Sequence, residues 1–237
     1  IEHPEVRAYI QQVFNVVFHE WGYDLVKLDF LYAACLIPRP NKTRGQLMCE
    51  AMQFIRDCAK DKLILGCGVP LGPSFGLVDY CRIGCDVGLD WDDKPFMRLL
   101  HRERISTLNA IGNSIGRRHL NHRAFINDPD VFLLRDNNLQ LTQTQKETLA
   151  FVNKHFGGLI FTSDDISYYT TAQHQHFDNT MSLEPITIHQ VNPYRSGLIE
   201  VLYTKLDVPY IARINLSSNV IQGIPAYETN IQPQEAH

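Results

Sequence analysis

Two charges inside one apolar run constrain this chain more than any other feature. Asp24-Leu25-Val26-Lys27-Leu28-Asp29-Phe30 reads as a buried strand, and strand side chains alternate between faces. Val26, Leu28 and Phe30 then face one way, Lys27 and Asp29 the other. A cation and a carboxylate on one face of a buried parallel strand are costly unless they pair or line a polar site. A (β/α)8 barrel supplies such a site, because its strand ends carry the chemistry and one strand face looks inward. A purely structural Lys27–Asp29 pair is the other reading of the same spacing.

Helix and strand signals alternate around that run. Pro4 suits the first turn of a helix, and Val6, Ile10, Val13, Val17 and Trp21 recur at helical spacing before Gly22 ends it. A helix over Gln46–Lys60 and a strand over Leu63–Cys67 follow. Gly68 to Gly76 is too rich in Gly and Pro for a helix. Val78–Ile83 reads as a third strand. Phe96–Gly116 reads as one long helix with Leu99, Leu100, Leu108 and Ile111 on its apolar face. Arg123–Asn127 is a fourth strand, Thr142 caps a helix over Gln143–Phe156, and Leu159–Thr162 is a fifth strand. From Ile186 the pattern changes to short β-type runs, Ile186–Val191, Leu198–Tyr203 and Tyr210–Leu216, with a turn signal over Asn192–Gly197.

Five barrel-type strands fall short of the eight that close a barrel. The expected architecture is therefore α/β: the later strands of a (β/α)8 TIM barrel over residues 1–165, a linker over 166–185, and a small antiparallel β-sandwich-like domain over 186–237. The missing strands are expected ahead of Ile1, so the N-terminal remainder of the same polypeptide or barrel would complete the fold. A partner chain, including a second copy in a homo-oligomer, is the other way to cover the open sheet edges such a segment leaves.

Composition excludes several classes. A net charge of −4 gives no electrostatic reason to expect nucleic acid. No apolar run reaches the roughly 18 residues that a membrane span needs, and the opening Ile1-Glu2-His3-Pro4 gives no expectation of a secretory leader. None of the six cysteines forms a CxxC pair, so a zinc site is not expected, and reduced thiols in a cytoplasmic enzyme are. The sequons Asn41-Lys42-Thr43 and Asn215-Leu216-Ser217 are short enough to arise by chance.

Acidic residues recur at strand ends: Asp29 after the first strand, Asp86 after the third, Asp128 and Asp130 after the fourth, Asp164 and Asp165 after the fifth. In a parallel barrel these ends gather on one face. Such a ring suits glycoside hydrolysis, divalent-metal binding, or plain helix and turn capping. Capping is the better reading of Asp164 and Asp165. Asp29 and Asp86 each have a cation at even spacing along their strand, Lys27 and Arg82, which can orient a carboxylate or hold it ionised. Arg82 touching Asp86 directly would oppose a proton-donor role, so Arg82 is expected to meet substrate or another acid. His174, His176 and Asp178 offer a weaker, metal-dependent alternative, with both imidazoles on one face if the segment is extended.

The run Trp21-Gly22-Tyr23-Asp24-Leu25-Val26-Lys27-Leu28-Asp29-Phe30 resembles the nucleophile strand of the α-galactosidase clan, glycoside hydrolase families 36 and 27. Gly66 to Leu71 and Val78 to Val87 resemble the fifth and sixth strands of family 36, and Asn127-Asp128-Pro129-Asp130 their seventh-strand motif. The resemblance implies hydrolysis of terminal α-linked galactose in an oligosaccharide or α-galactoside with retention, and no cofactor or metal. It implies Asp29 as nucleophile, Asp86 as acid/base, and Lys27, Cys67, Gly68, Arg82 and Trp91 around the sugar. Arg82-Ile83-Gly84-Cys85-Asp86 departs from the Trp-x-Ser-Asp found in many family 36 members. The alternative is a non-catalytic carbohydrate-binding or structural segment of a larger glycosidase-like protein.

Overall fold

The computed structural model describes residues 3–100 and 104–234. They form two compact units, Ile1–Ile83 with Arg117–Asp128, and Gly84–Gly116 with Pro129–His237.

The first unit is a parallel sheet backed by helices. It comprises α1 (Pro4–Asn15, continued by a π turn over Val16–Glu20), β1 (Leu25–Leu28), α2 (Arg44–Ala59), β2 (Leu63–Gly66), α3 (Leu71–Ser74), β3 (Tyr80–Arg82) and β4 (Ile126–Asp128). The strands lie side by side in chain order, all parallel. Val26, Leu28, Ile64 and Cys81 share one core with Phe14 and Phe18 of the first helix and Met48, Met52 and Ile55 of α2. Alternation sends Lys27, Leu65, Tyr80 and Arg82 to the opposite face. Thr43 starts α2 with a capping box: its hydroxyl accepts from Gln46 N–H while Gln46 returns the favour. Asp79 ties the layers at the other end of the strands, accepting from Ile64 N–H at 2.8 Å and Arg56 Nη2 at 2.7 Å.

Three local expectations change here. β1 stops at Leu28, and Phe30 adopts a left-handed backbone (φ 54°), so its ring leaves the core face and lies exposed against Tyr32. The Gly/Pro-rich stretch does hold one helical turn, α3. Pro73 sits within that first turn, where its missing N–H costs nothing. β1 is also an edge of this sheet, and Trp21, Tyr23 and Leu25 beside it stay exposed.

The second unit holds α4 (Pro95–Leu99), α5 (Thr107–Gly116), β5 (Val131–Phe132), α6 (Gln143–Phe156), β6 (Phe161–Thr162), α7 (Thr171–Met181) and four strands, β7 (Ile186–Pro193), β8 (Leu198–Lys205), β9 (Val208–Asn215) and β10 (Thr229–Pro233). β5 and β6 pair in parallel, and β7 to β10 form an antiparallel sheet in the order β10-β9-β8-β7. Among the described residues these strands form one sheet, not a sandwich: Val201, Tyr203, Ala212 and Ile214 share a core with Leu149, Phe151 and Val152 of α6, so a helix packs where a second sheet was expected.

The long helix expected over Phe96–Gly116 is two helices. Ser106 Oγ accepts from Asn109 N–H at 3.1 Å and starts α5 afresh, while Leu99 and Leu100 are exposed instead of packed. Residues 101–103 of that span lie outside the described residues. The segment 166–185, expected as a linker, carries α7, whose Gln173 Nε2 donates to Leu134 O at 2.7 Å. β5 and β10 were not legible: the first is two residues long and the second reads Thr-Asn-Ile-Gln-Pro.

His155 joins α6 to the sheet. Its ring stacks on Phe151 at 3.8 Å and meets Tyr203 edge-on at 4.8 Å. Burial holds its pKa down at about 4, helped by the Lys154 and Lys205 ammonium groups and opposed by a bond to the Phe151 carbonyl. The unfolded chain therefore binds a proton between about pH 6.5 and 4 that the folded chain refuses. Stability should fall as pH drops through that window, by up to about 1.4 kcal/mol per pH unit, and level off below it. Denaturant titrations from pH 7 to 4 on the protein and on His155→Phe check this: the phenylalanine variant should lose that share of the slope, and an unchanged slope would acquit His155.

Candidate active site

The parallel register brings four polar residues to one level. Leu28, Gly66, Cys81 and Asn127 are successive register partners across β1 to β4. One residue further on stand Asp29, Cys67, Arg82 and Asp128, at the C-terminal ends of the strands and on the same face as Lys27.

Backbone bonds tie the first two strand ends together. Cys67 N–H donates to Leu28 O at 2.8 Å, Leu31 N–H to Cys67 O at 3.3 Å, and Tyr32 N–H to Gly68 O at 2.8 Å. Gly68 has φ +59°, and a Cβ there would stand 3.2 Å from the Phe30 backbone. Only glycine meets both demands without strain.

Asp29 sits where these constraints converge. Its carboxylate accepts from Phe30 N–H at 2.7 Å, a bond made by the left-handed turn at Phe30, and from the Cys67 thiol. Partial desolvation pushes its pKa up, but the thiol, the Phe30 N–H and the Lys27 and Arg82 cations together hold it below the ordinary aspartate value. The same geometry works in reverse on Cys67. Burial and the bond to Asp29 push the thiol up to about 11, so the sulfur keeps its proton and remains a donor.

Arg82 and Asp128 form a buried pair, Nε to Oδ2 at 3.0 Å, with Asp128 fully inaccessible. Arg82 thus meets another acid, which the even spacing to Asp86 left open. Asp128 was visible as a strand-end acid, but its role as the arginine's partner depends on the β3–β4 register.

Lys27, Asp29, Cys67, Gly68 and Arg82 therefore come together in the first unit, whereas Asp86 and Trp91 belong to the second. Asp86 is exposed in the loop after β3, and both its neighbours are anchored: Cys85 Sγ to Ser106 O at 3.8 Å, and Val87 N–H to Asp130 Oδ2 at 2.6 Å. Trp91 does not present a stacking face. It is buried in the core of the second unit, 5.1 Å from the Tyr227 ring. The metal alternative loses its premise too. His174 and His176 lie on a helix, where residues two apart point in different directions, and no cluster of three His, Cys, Asp or Glu suited to a metal occurs among the described residues.

No protein-family model matches the chain. Among solved structures it is similar to an α-galactosidase from Thermus thermophilus. In complex with stachyose that enzyme aligns at 29% identity over 75% of this chain and 38% of its own, with a TM-score of 0.66. In complex with p-nitrophenyl α-D-galactopyranoside it aligns at 25% identity over 92% of this chain and 42% of its own, with a TM-score of 0.69. α-Galactosidase I from Mortierella vinacea shares the fold at 14% identity, over 85% of this chain and 54% of its own, with a TM-score of 0.64. The fold is thus α-galactosidase-like, and the chain spans about two fifths of the Thermus enzyme's length. No helix among the described residues is long and apolar enough to cross a membrane.

The thiol bond to Asp29 has a direct readout. A 13C-carboxyl NMR titration should place the Asp29 midpoint higher in Cys67→Ala than in the parent. Cys67→Ser should restore it, because a hydroxyl donates as the thiol does. An unmoved midpoint in Cys67→Ala would remove the thiol from the electrostatics of the site.

Proposed function

We propose that this chain carries the catalytic acids of a retaining α-glycosidase that acts on terminal α-linked galactose. The observation that carries the reading is the environment of Asp29: a carboxylate at a parallel strand end, held ionised by a thiol donor, a backbone N–H and two cations. Its likeness to the Thermus α-galactosidase, in a fold where strand ends hold the chemistry, supports galactose as the sugar.

In this reading an Asp29 oxygen attacks the anomeric carbon. The bond from that carbon to the leaving oxygen breaks, and the leaving oxygen takes the proton of Asp86. A β-galactosyl ester on Asp29 results. Asp86, now a carboxylate, takes a proton from water as the water oxygen attacks the same carbon and the ester bond from that carbon to the Asp29 oxygen breaks. Galactose leaves with its α configuration, and both acids return to their starting states. Lys27 donates to sugar hydroxyls, and Cys67 and Gly68 line the side of the 2-hydroxyl. Arg82 keeps its place through Asp128 and adds positive potential at Asp29.

The test is chemical rescue. Asp29→Gly should lower turnover of an aryl α-galactoside by at least about 10³-fold, as loss of a nucleophile does elsewhere. Added azide should restore turnover and yield the β-galactosyl azide, because azide then attacks from the vacated side. Asp86→Ala should cost about 10²–10⁴-fold on substrates with poor leaving groups and less on nitrophenyl ones. Full turnover in Asp29→Gly would overturn the assignment. Galactose binding with no turnover in the parent would favour the non-catalytic carbohydrate-binding reading.

A further inference from the structure

Phe30 holds a backbone conformation that phenylalanine seldom takes. Its φ is 54° and its ψ 30°, in the left-handed region, where Cβ crowds the carbonyl oxygen. Glycine or asparagine would occupy this turn at lower cost. Strain of this kind persists only where the surroundings fix it, and it gathers at functional sites.

Backbone bonds on both sides fix it here. Before the turn, Cys67 N–H donates to Leu28 O at 2.8 Å. After it, Leu31 N–H donates to Cys67 O at 3.3 Å, Tyr32 N–H to Gly68 O at 2.8 Å and Ala33 N–H to Phe30 O at 2.9 Å. Gly68 leaves the room, since a Cβ there would lie 3.2 Å from both Phe30 N and Phe30 Cα. Leu31 packs against the core on the helical side of the sheet. An extended Phe30 would continue β1 and carry Leu31 out of that core, to the face of Lys27 and Asp29. The Phe30 ring takes no part in these ties: it is 65% exposed and meets Tyr32 edge-on at 6.2 Å.

The consequence falls on Asp29. The turn points Phe30 N–H back at the preceding side chain, where Asp29 Oδ1 accepts it at 2.7 Å. The Cys67 thiol donates to the same carboxylate from the neighbouring strand end, and Lys27 and Arg82 act on it through charge. Nearby charge favours the anion in any rotamer, whereas a short bond from a fixed N–H selects one.

We propose that Phe30 is a positioning residue for Asp29: its left-handed backbone, not its ring, aims the N–H that sets the orientation of the carboxylate. The inference rests on the glycosidase reading for what that orientation serves, the presentation of a carboxylate oxygen to the anomeric carbon.

The test separates backbone from ring. Phe30→Asn removes the ring and keeps a residue that accepts the left-handed region. Phe30→Val removes the ring and, being β-branched, resists that region. An amide-to-ester exchange at Phe30, made by incorporating phenyllactate, keeps the ring and removes the N–H alone. The 13C-carboxyl midpoint of Asp29 should rise in Phe30→Val and in the ester, and stay at the parent value in Phe30→Asn. The kcat for nitrophenyl α-galactoside should fall at least about tenfold in Phe30→Val and in the ester with KM little changed, and far less in Phe30→Asn. Because the ester keeps every side chain, it reads the N–H even where Phe30→Val fails to fold. Equal shifts in Phe30→Asn and Phe30→Val would give the role to the ring and overturn the inference, as would an unmoved midpoint in the ester. A parent that cleaves no α-galactoside yet shows the contrast in the Asp29 midpoint would sink the glycosidase reading and leave the positioning of Asp29 by Phe30 standing.

Discussion

The parallel register of four short strands decides where the charges at their ends can go in the first unit. Once Leu28, Gly66, Cys81 and Asn127 share one level, Asp29, Cys67, Arg82 and Asp128 must share the next. The apolar partners of that alternation are already committed to Phe14, Met48 and Ile55 on the helical side. A slip of one residue would drive Lys27 and Arg82 into that core and expose Ile64. The polar row is therefore enforced by hydrophobic burial on the other face and needs no attraction among its own members to form.

Both units use an aspartate with an inaccessible side chain to hold an arginine at or just after a strand end. Asp128 takes the Nε of Arg82, and Asp164 takes an Nη of Arg135 together with two backbone N–H groups and a phenol. Such pairs add little net stability, because desolvating two charges offsets most of their attraction. What they supply is placement. Each fixes a guanidinium that would otherwise sample many rotamers, and each stands near an exposed group of a different kind, Asp29 in one unit and Tyr168 in the other. Removing either aspartate would take an ionic partner from a guanidinium that is buried at Arg82 and partly buried at Arg135, which gives both acids a structural role at catalytic-looking positions.

Periodicity made the long elements readable. α6 runs over Gln143–Phe156 as its apolar spacing and Thr142 cap require, and α2 differs from expectation by a residue or two at each end. β5 was unreadable because two residues carry no period, and Pro129 with the left-handed Asp130 resembles a turn. The break between α4 and α5 hid behind leucines that satisfy a helical pattern yet lie on the surface, since period alone cannot say whether a core faces them. Of the site, the Lys27–Asp29 spacing was legible because it violates the apolar run. The Arg82–Asp128 pair was not, because it joins strands 46 residues apart in the chain. Trp91 misled for the opposite reason: a large aromatic in a loop offers the same sequence signal whether its ring meets a sugar or, as here, Tyr227.

The surroundings of Asp29 bear on its role without appeal to resemblance. A general acid must carry a proton near neutral pH, which takes burial or a like charge to raise its pKa. Asp29 has the reverse surroundings, with a thiol, a backbone N–H and two cations all favouring the anion. Such surroundings favour a carboxylate that stays ionised over one that donates a proton. Cys67 reinforces this, because a thiol pushed up to about 11 keeps its proton at neutral pH and can donate it to the carboxylate. If this chain performs two-carboxylate chemistry, these surroundings suit Asp29 to the attacking role and require the proton to come from another acid.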